Sequence, residues 1–266
     1  MDNQPVIIIT GASSGIGAET ARVFGGAGYR VVLAARRAER LESLSAEIIS
    51  GGGDALPSTC DVVEQSDIEG LVAQVMERYQ QVDVLLNNAG IGRLDWLEKL
   101  HPQEDISAQV AVNLLGTIQV TRAVLPHMIA RRSGHIINMS SLGGLLATPT
   151  YSVYAATKFG VRGFTDALRR EVSVWDINVS AIYPGGVVTE FTDQAGIVRK
   201  TGVTTPPYLK LSAEDVATAV LKLARKPKRM LVLPRSMYLV IWLNAFAPGF
   251  VDLLIEHQFT RPERGL

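Results

Sequence analysis

The chain predicts a doubly wound parallel α/β sheet of about seven strands with helices on both faces, built as one domain over residues 1–266. Three observations carry that expectation. β-Branched runs alternate with helix-like runs along the chain. The first of these runs leads straight into a glycine-rich turn and then an amphipathic stretch. A length of 266 residues, 47% of them hydrophobic, suits a single domain with a well-buried core.

The first run, Val6-Ile7-Ile8-Ile9, is long enough for a strand buried on both faces. It enters Thr10-Gly11-Ala12-Ser13-Ser14-Gly15-Ile16-Gly17. A helix is expected after it, from about 18 to 24, ended by Gly25-Gly26-Ala27-Gly28. Further strands are expected at 30–34, 82–87, 135–139, 178–182 and 230–233, with a shorter one near 56–60. Helices are expected at about 40–50, 66–79, 105–130, 152–174 and 213–225. Ser212, followed by Glu214 and Asp215, reads as the capped start of the last helix. No internal repeat, low-complexity segment or linker interrupts the pattern.

Two constellations carry chemistry. In the first, Gly11 permits a tight turn, Gly15 lets the backbone approach a pyrophosphate, and Gly17 lets the helix pack closely. The N–H groups at the helix start would then face the phosphates. The spacing has three residues between the first two glycines, where the usual dinucleotide pattern has one. In the second, Tyr154 and Lys158 stand four apart and share a helix face. A cation about 4 Å from a phenol, at an effective dielectric of about 20, favours phenolate by about 4 kcal/mol, or roughly three pK units. That would bring a tyrosine into the range of general acid–base work. The spacing alone also fits a half-buried Tyr beside a surface Lys; the surrounding motifs decide against that.

Thr10-Gly11-x-x-x-Gly15-Ile16-Gly17, Asn87-Asn88-Ala89-Gly90, Asn113, Ser141, Tyr154-x-x-x-Lys158 and Pro184-Gly185-x-Val187-x-Thr189 occur together and in order. In this the chain resembles the compact, single-domain branch of the short-chain dehydrogenase/reductase family, from about residue 6 to 230. The resemblance implies a Rossmann-type sheet and an NAD(P)-dependent oxidoreductase acting on a ketone or alcohol, a carbonyl reductase in one direction. It implies Asn113, Ser141, Tyr154 and Lys158 as the catalytic set. Ser141, thirteen residues before Tyr154, is the matching serine, with Ser140 bracing the loop. Asn113 would hold a water that links the lysine to solvent. Gly11, Ser14, Gly15, Ile16 and Gly17 would cradle the cofactor, with Asn88, Ala89 and Gly90 along its adenosine half. Asp61 and Val62 would meet the adenine; Pro184, Gly185, Val187 and Thr189 would meet the nicotinamide and pyrophosphate. Lys158 and Tyr154 would also touch the nicotinamide ribose.

The second strand ends in Ala35-Arg36-Arg37, where NAD-preferring enzymes place a carboxylate for the ribose 2′-hydroxyl. Two guanidinium groups suit a 2′-phosphate, so NADP(H) is the expected cofactor, with Ser13 placed to add a hydroxyl. The segment 190–211 is expected to flap over a pocket walled by Leu142, Leu145, Leu146, Tyr151, Phe191 and Tyr208. That largely apolar wall favours a hydrophobic ketone or secondary alcohol. A non-catalytic NADP(H)-binding sensor or scaffold is the alternative, since fold does not fix function. An extended-branch nucleotide-sugar epimerase fits poorly, because its glycine spacing differs.

Charge and cysteine usage narrow the rest. Equal numbers of basic and acidic residues, 26 each, give no support to nucleic-acid binding. A single cysteine, Cys60, cannot form an intramolecular disulfide and fits a reducing compartment. With no secretory pattern ahead of the first strand, a cytoplasmic location is expected. His101, His127, His135 and His257 lack metal-ligand spacing, so no metal is expected. A homodimer or homotetramer is implied by the resemblance. The tail from about 235 lies outside the shared pattern. It is strongly apolar, is preceded by Arg225-Lys226-Pro227-Lys228-Arg229, and is broken at Pro248-Gly249. Two short helices are expected there, packed on the subunit near the substrate entrance or between protomers. A peripheral membrane contact is the sharper alternative.

Overall fold

The computed structural model describes residues 4–191, 195–196, 200, 202 and 206–266. Seven strands form one wholly parallel sheet: β1 (Val6–Thr10), β2 (Arg30–Ala35), β3 (Asp54–Thr59), β4 (Val84–Asn87), β5 (Gly134–Met139), β6 (Ile177–Pro184) and β7 (Met230–Leu233). Their order is β3-β2-β1-β4-β5-β6-β7, so the winding reverses between β1 and β4. Ligands in such sheets bind outside the strand carboxyl ends at that reversal.

Alternation along β1 decides which helix goes where. Ile7 and Ile9, with Val31 and Leu33 of β2, pack on α1 (Gly15–Gly26), α2 (Ala38–Ser50) and α6 (Ala213–Arg225) through Phe24, Leu41, Leu44, Val216 and Val220. Val6 and Ile8 face the other way. They share a core with α3 (Gln65–Tyr79), α4 (Thr117–Arg131) and α5 (Ser152–Glu171) through Ile68, Leu71, Val120, Val124 and Leu168. β1 is buried at every position, as a strand covered on both faces must be. Ser212 caps α6 as expected: its Oγ accepts the Asp215 N–H at 3.0 Å, and Asp215 Oδ2 accepts the Ser212 N–H at 2.9 Å.

Boundaries shift by a few residues for identifiable reasons. α1 starts at Gly15 rather than near 18, because the glycine turn itself supplies the first helical turn. β4 starts at Val84, and Asp83 just ahead of it already bonds to Val6 and His135 through its backbone while its carboxylate accepts the Val6 N–H. The helix expected over 105–130 is instead a continuous helical run ahead of and through α4, with π turns at Pro102–Ser107 and Ala111–Gly116. Thr117 Oγ1 donates back to the Asn113 carbonyl at 2.9 Å, and Thr121 Oγ1 to that of Thr117 at 2.7 Å. Such hydroxyls compete with the helical ladder and loosen it locally.

The tail forms α7 (Met237–Phe246) and α8 (Pro248–Ile255), then a short π turn and α9 (Arg261–Arg264). The break falls at Pro248, where proline opens a new helix from its first position.

Candidate active site

The glycine turn is shaped by conformations and clearances that a side chain would spoil. Gly11 (φ +66°) and Gly15 (φ +53°) lie in the left-handed region. A Cβ on Gly17 would sit 2.2 Å from the Gly11 carbonyl oxygen and 2.7 Å from Asn88 Nδ2. One on Gly15 would press on Thr189 at 3.2 Å, which brings the loop after β6 against the turn. Ser14 precedes α1 in an extended conformation and makes no side-chain cap, so no hydroxyl competes for the N–H groups of the first turn. This is a preformed cradle for an anionic diphosphate.

Thr10, which no motif singled out beyond its place in the pattern, locks the cradle to β4. Its Oγ1 accepts the N–H groups of Asn88 (3.0 Å) and Ala89 (3.1 Å). Asn88 Nδ2 donates to the Thr10 and Gly11 carbonyls. Asn87 instead braces the interior, its Nδ2 donating to Thr121 Oγ1 and Asn138 Oδ1, both at 2.8 Å.

The residues expected to be catalytic gather near the carboxyl ends of β4 and β5. Tyr154 and Lys158 are both buried on one face of α5. Ser141 follows β5 and accepts the Gly143 N–H at 3.1 Å, with its own hydroxyl directed at the Tyr154 phenol. Ser140 takes the bracing role, donating to the Lys158 carbonyl at 3.1 Å. Lys158 Nζ donates to the Met139 carbonyl at 3.0 Å and lies 5.6 Å from the centre of the Tyr154 ring. Gly90 lies beside it and beside Asn113, where a Cβ would crowd Asn113 Oδ1 at 3.3 Å and touch Nζ at 3.6 Å. Asn113 is fully buried in the π turn, with its amide committed to Ile91: Oδ1 accepts the Ile91 N–H at 2.8 Å and Nδ2 donates to its carbonyl at 2.9 Å. The side chain therefore holds the loop that follows Gly90 in place.

The electrostatics correct one expectation. Lys158 does not lower the Tyr154 pKa in this arrangement. Burial pushes the phenol up to about 12, against an opposing hydrogen bond from Ser141. Nζ stands over the ring, 5.6 Å from its centre. Burial also drives Lys158 down to about 8. An ammonium with one acceptor in a buried site is poorly satisfied. It therefore fits further hydroxyl acceptors, such as those of a ribose.

The pair Arg36 and Arg37 divides. Arg36 is exposed and points toward Asp61, 3.7 Å away. Arg37 lies on the cradle, donating to Ser13 Oγ (2.9 Å) and Ser14 Oγ (2.7 Å). Sequence reasoning missed its neighbours. Glu190 pairs with both Arg37 (3.3 Å) and Arg40 (2.8 Å), and these arginines hold its carboxyl below the usual range. No short motif links residues 150 apart. Val62 is buried against Gly116, and Asp61 Oδ1 accepts the Val63 N–H. Pro184 ends β6, the Gly185 N–H donates to the Leu233 carbonyl, and Val187 bridges to Leu211.

The expected pocket wall also divides. Tyr151 and Phe191 flank Tyr154, with ring centres 6.1 and 5.8 Å away, alongside Leu94 and Ala195. Leu94 and Ala195 carried no sequence signal, because single apolar residues are ordinary in loops. Leu142 and Leu145 turn instead toward Ala181, Tyr183 and Val232. Tyr208 is no wall residue: it is 84% exposed, in the short turn Pro207–Leu209. Residues 192–194, 197–199, 201 and 203–205 of the expected flap lie outside the described residues. His135 is a packing residue, its Nε2 2.7 Å from Ser180 Oγ. The Cys60 thiol is buried and pushed up to about 12, first by burial and then by Asp67 and Asp61, which makes it a poor nucleophile.

Comparison with known proteins agrees with this geometry. The family model for short chain dehydrogenases matches residues 5–198. "Dehydrogenase/reductase SDR family member 7B" of Bos taurus is 37% identical, covering 97% of this chain and 82% of its own length. The structure of an alcohol dehydrogenase from Thermococcus sibiricus complexed with 5-hydroxy-NADP superposes with a TM-score of 0.77 at 29% identity, over 87% of this chain and 95% of that one. A short chain dehydrogenase/reductase from Burkholderia phymatum in complex with NAD shares the fold at TM-score 0.83 and 23% identity, over 94% and 95%. Sheet order, cradle and the Ser141–Tyr154–Lys158 cluster are thus found in a chain that belongs to the short-chain dehydrogenase/reductase family of oxidoreductases.

Proposed function

We propose that this oxidoreductase uses NADP(H) to interconvert a hydrophobic ketone and its secondary alcohol, with Tyr154 as the proton-transferring group. The observation that carries the reading is the cluster of half-buried Ser141 with buried Tyr154 and a buried, incompletely satisfied Lys158, set beside Gly90. The bound nicotinamide would supply or accept the hydride.

The chain's own residues do the rest. Ser141 donates a hydrogen bond to the substrate oxygen, where negative charge develops. Tyr154 delivers its proton to that oxygen in reduction and takes one in oxidation. The phenol stands protonated at neutral pH, the form that the reducing direction requires. Lys158 holds the ribose hydroxyls through its remaining N–H groups. Asn113, clamped to Ile91, keeps the Gly90 backbone open for that approach. Arg37 and Arg40, with Ser13, form the anion site for a 2′-phosphate, and Ala35 supplies no competing carboxylate. Glu190 stands in that site as an internal anion that a phosphate would displace. Tyr151, Phe191 and Leu94 give the substrate an apolar wall and exclude water from the proton transfer.

A panel of carbonyl compounds incubated with NADPH, followed by loss of the reduced cofactor's absorbance, tests the reading. Turnover of lipophilic ketones with NADPH in preference to NADH is expected. Binding of NADPH without turnover of any carbonyl would favour the sensor or scaffold alternative.

A further inference from the structure

We propose that α7 and α8 form a docking surface for a lipid bilayer carrying anionic headgroups, in which the outer faces of both helices lie among the acyl chains. Between residues 236 and 255 the only charged side chain is Asp252. Apart from the Tyr238 hydroxyl and the Asn244 amide, α7 is apolar, and such a helix normally requires cover on most sides. Met237, Tyr238 and Ile241 pack on Leu145, Tyr183 and Val232. The opposite face is bare: Leu239, Trp242 and Phe246 are 77%, 61% and 77% exposed, and Leu243, Phe250 and Leu253 continue the patch. The Trp242 and Phe246 rings stand 5.2 Å apart at its centre, a residue pairing suited to the headgroup–acyl boundary.

Length and shape favour lying on a membrane over crossing it. No single helix among the described residues is long and apolar enough to span one, and α7 meets the helical segment after Pro248 at 112°. A segment of ten residues is about 15 Å long, half of a hydrocarbon core of about 30 Å.

Charge favours lipid over a second copy of the chain. The protein as a whole is neutral, yet residues 225–266 carry seven Lys and Arg against three Asp and Glu. Lys226, Lys228 and Arg235 are exposed and make no ion pair among the described residues. A two-fold contact would bring each cationic tail against its own equivalent, with few polar side chains to form a hydrogen-bonded rim. Anionic headgroups complement it instead.

The tail returns to the active-site mouth. Glu263 accepts the Lys200 N–H at 3.1 Å, and the Arg264 guanidinium stacks 3.6 Å from the Trp96 ring centre and pairs with Glu98. Trp96 lies two residues from Leu94, which packs on Tyr154. If the proposed carbonyl reduction holds, a lipophilic substrate dissolved in the bilayer would enter beside this anchor; the docking itself does not depend on that reading.

Flotation of the full chain with phosphatidylcholine vesicles, with and without phosphatidylserine, tests the proposal. The protein should float with the anionic vesicles, and its tryptophan emission should shift to the blue. The combined variant L239S/W242S/F246S should stay in solution while binding NADPH as the parent does, which reports an intact fold. The variant K226S/K228S should lose roughly thirtyfold in affinity for anionic vesicles. Failure of the parent to float overturns the proposal. A parent dimer that the triple substitution dissociates, with no vesicle binding, would assign the surface to a second copy.

Discussion

The cofactor cradle and the C-terminal tail handle close packing in opposite ways. At the cradle, backbone meets backbone with no room for a methyl group: a Cβ on Gly17 would lie 2.2 Å from the Gly11 oxygen. In the tail, Gly249 has nothing within 4 Å of the same construction, and six large apolar side chains face outward. The polar groups of the cradle are paired internally, as Thr10 with Asn88 and Ala89 shows. The cradle is complete in the chain alone; the tail is complete on one face only. A site that must hold a small charged molecule is built by exclusion, whereas a surface lacking cover points to a partner outside the chain.

The contrast breaks most visibly at its glycines. Gly17→Ala should lose cofactor binding and about 3 kcal/mol of stability, because both clashing neighbours are fixed by the turn. Gly249→Ala, within α8, should be neutral or gain roughly 0.5–1 kcal/mol. Denaturant melts and cofactor titration of both variants measure the difference; equal effects would erase it.

Lys158 sharpens the comparison, because its burial costs stability. Its pKa near 8 in the folded protein lies below the ordinary 10.5. Between those pH values the unfolded chain binds the extra proton, so this residue's contribution to stability rises with pH across that window. Lys158→Met should therefore stabilise the cofactor-free protein at pH 7 by up to about 3 kcal/mol, an advantage that shrinks from pH 8 toward 10.5. The same variant should bind NADPH more weakly. Melts at several pH values check the first statement, and titration the second.

Smaller effects are expected where contacts are solvent-exposed. Glu190→Gln removes the internal anion beside Arg37 and Arg40, so NADPH should bind more tightly while NADH is unchanged. Tyr208→Ser, at an exposed turn, should leave turnover of any substrate unaltered within error. A large loss would show that this tyrosine reaches the pocket during the reaction.

The two regions were unequally legible in the sequence. β1, the glycine turn and the Tyr154–Lys158 face were readable because period, glycine placement and helical spacing each constrain one another locally. So were the two tail helices, through the break at Pro248. Contacts between distant segments were not. Arg37 rather than Arg36 lies on the cradle because α2 starts at Ala38 and directs the side chain just before it. The Glu190 pairing closes across most of the fold. The π turn around Asn113 leaves no trace in the apolar period. Burial of Tyr154 and Lys158 reverses the pKa argument made from spacing, since proximity along a helix does not fix where an ammonium points. Exposure of the tail was also hidden, because an apolar run reads identically whether its cover is the same chain or something else.

The central claim is that Tyr154 transfers the proton in a nicotinamide-dependent carbonyl reduction. Steady-state turnover of Tyr154→Phe on a carbonyl the parent reduces, with NADPH affinity measured on the same sample, tests it most directly. Removing only the hydroxyl should leave NADPH affinity near that of the parent and cut kcat by about 10²–10⁴. A variant with near-normal kcat would contradict the account.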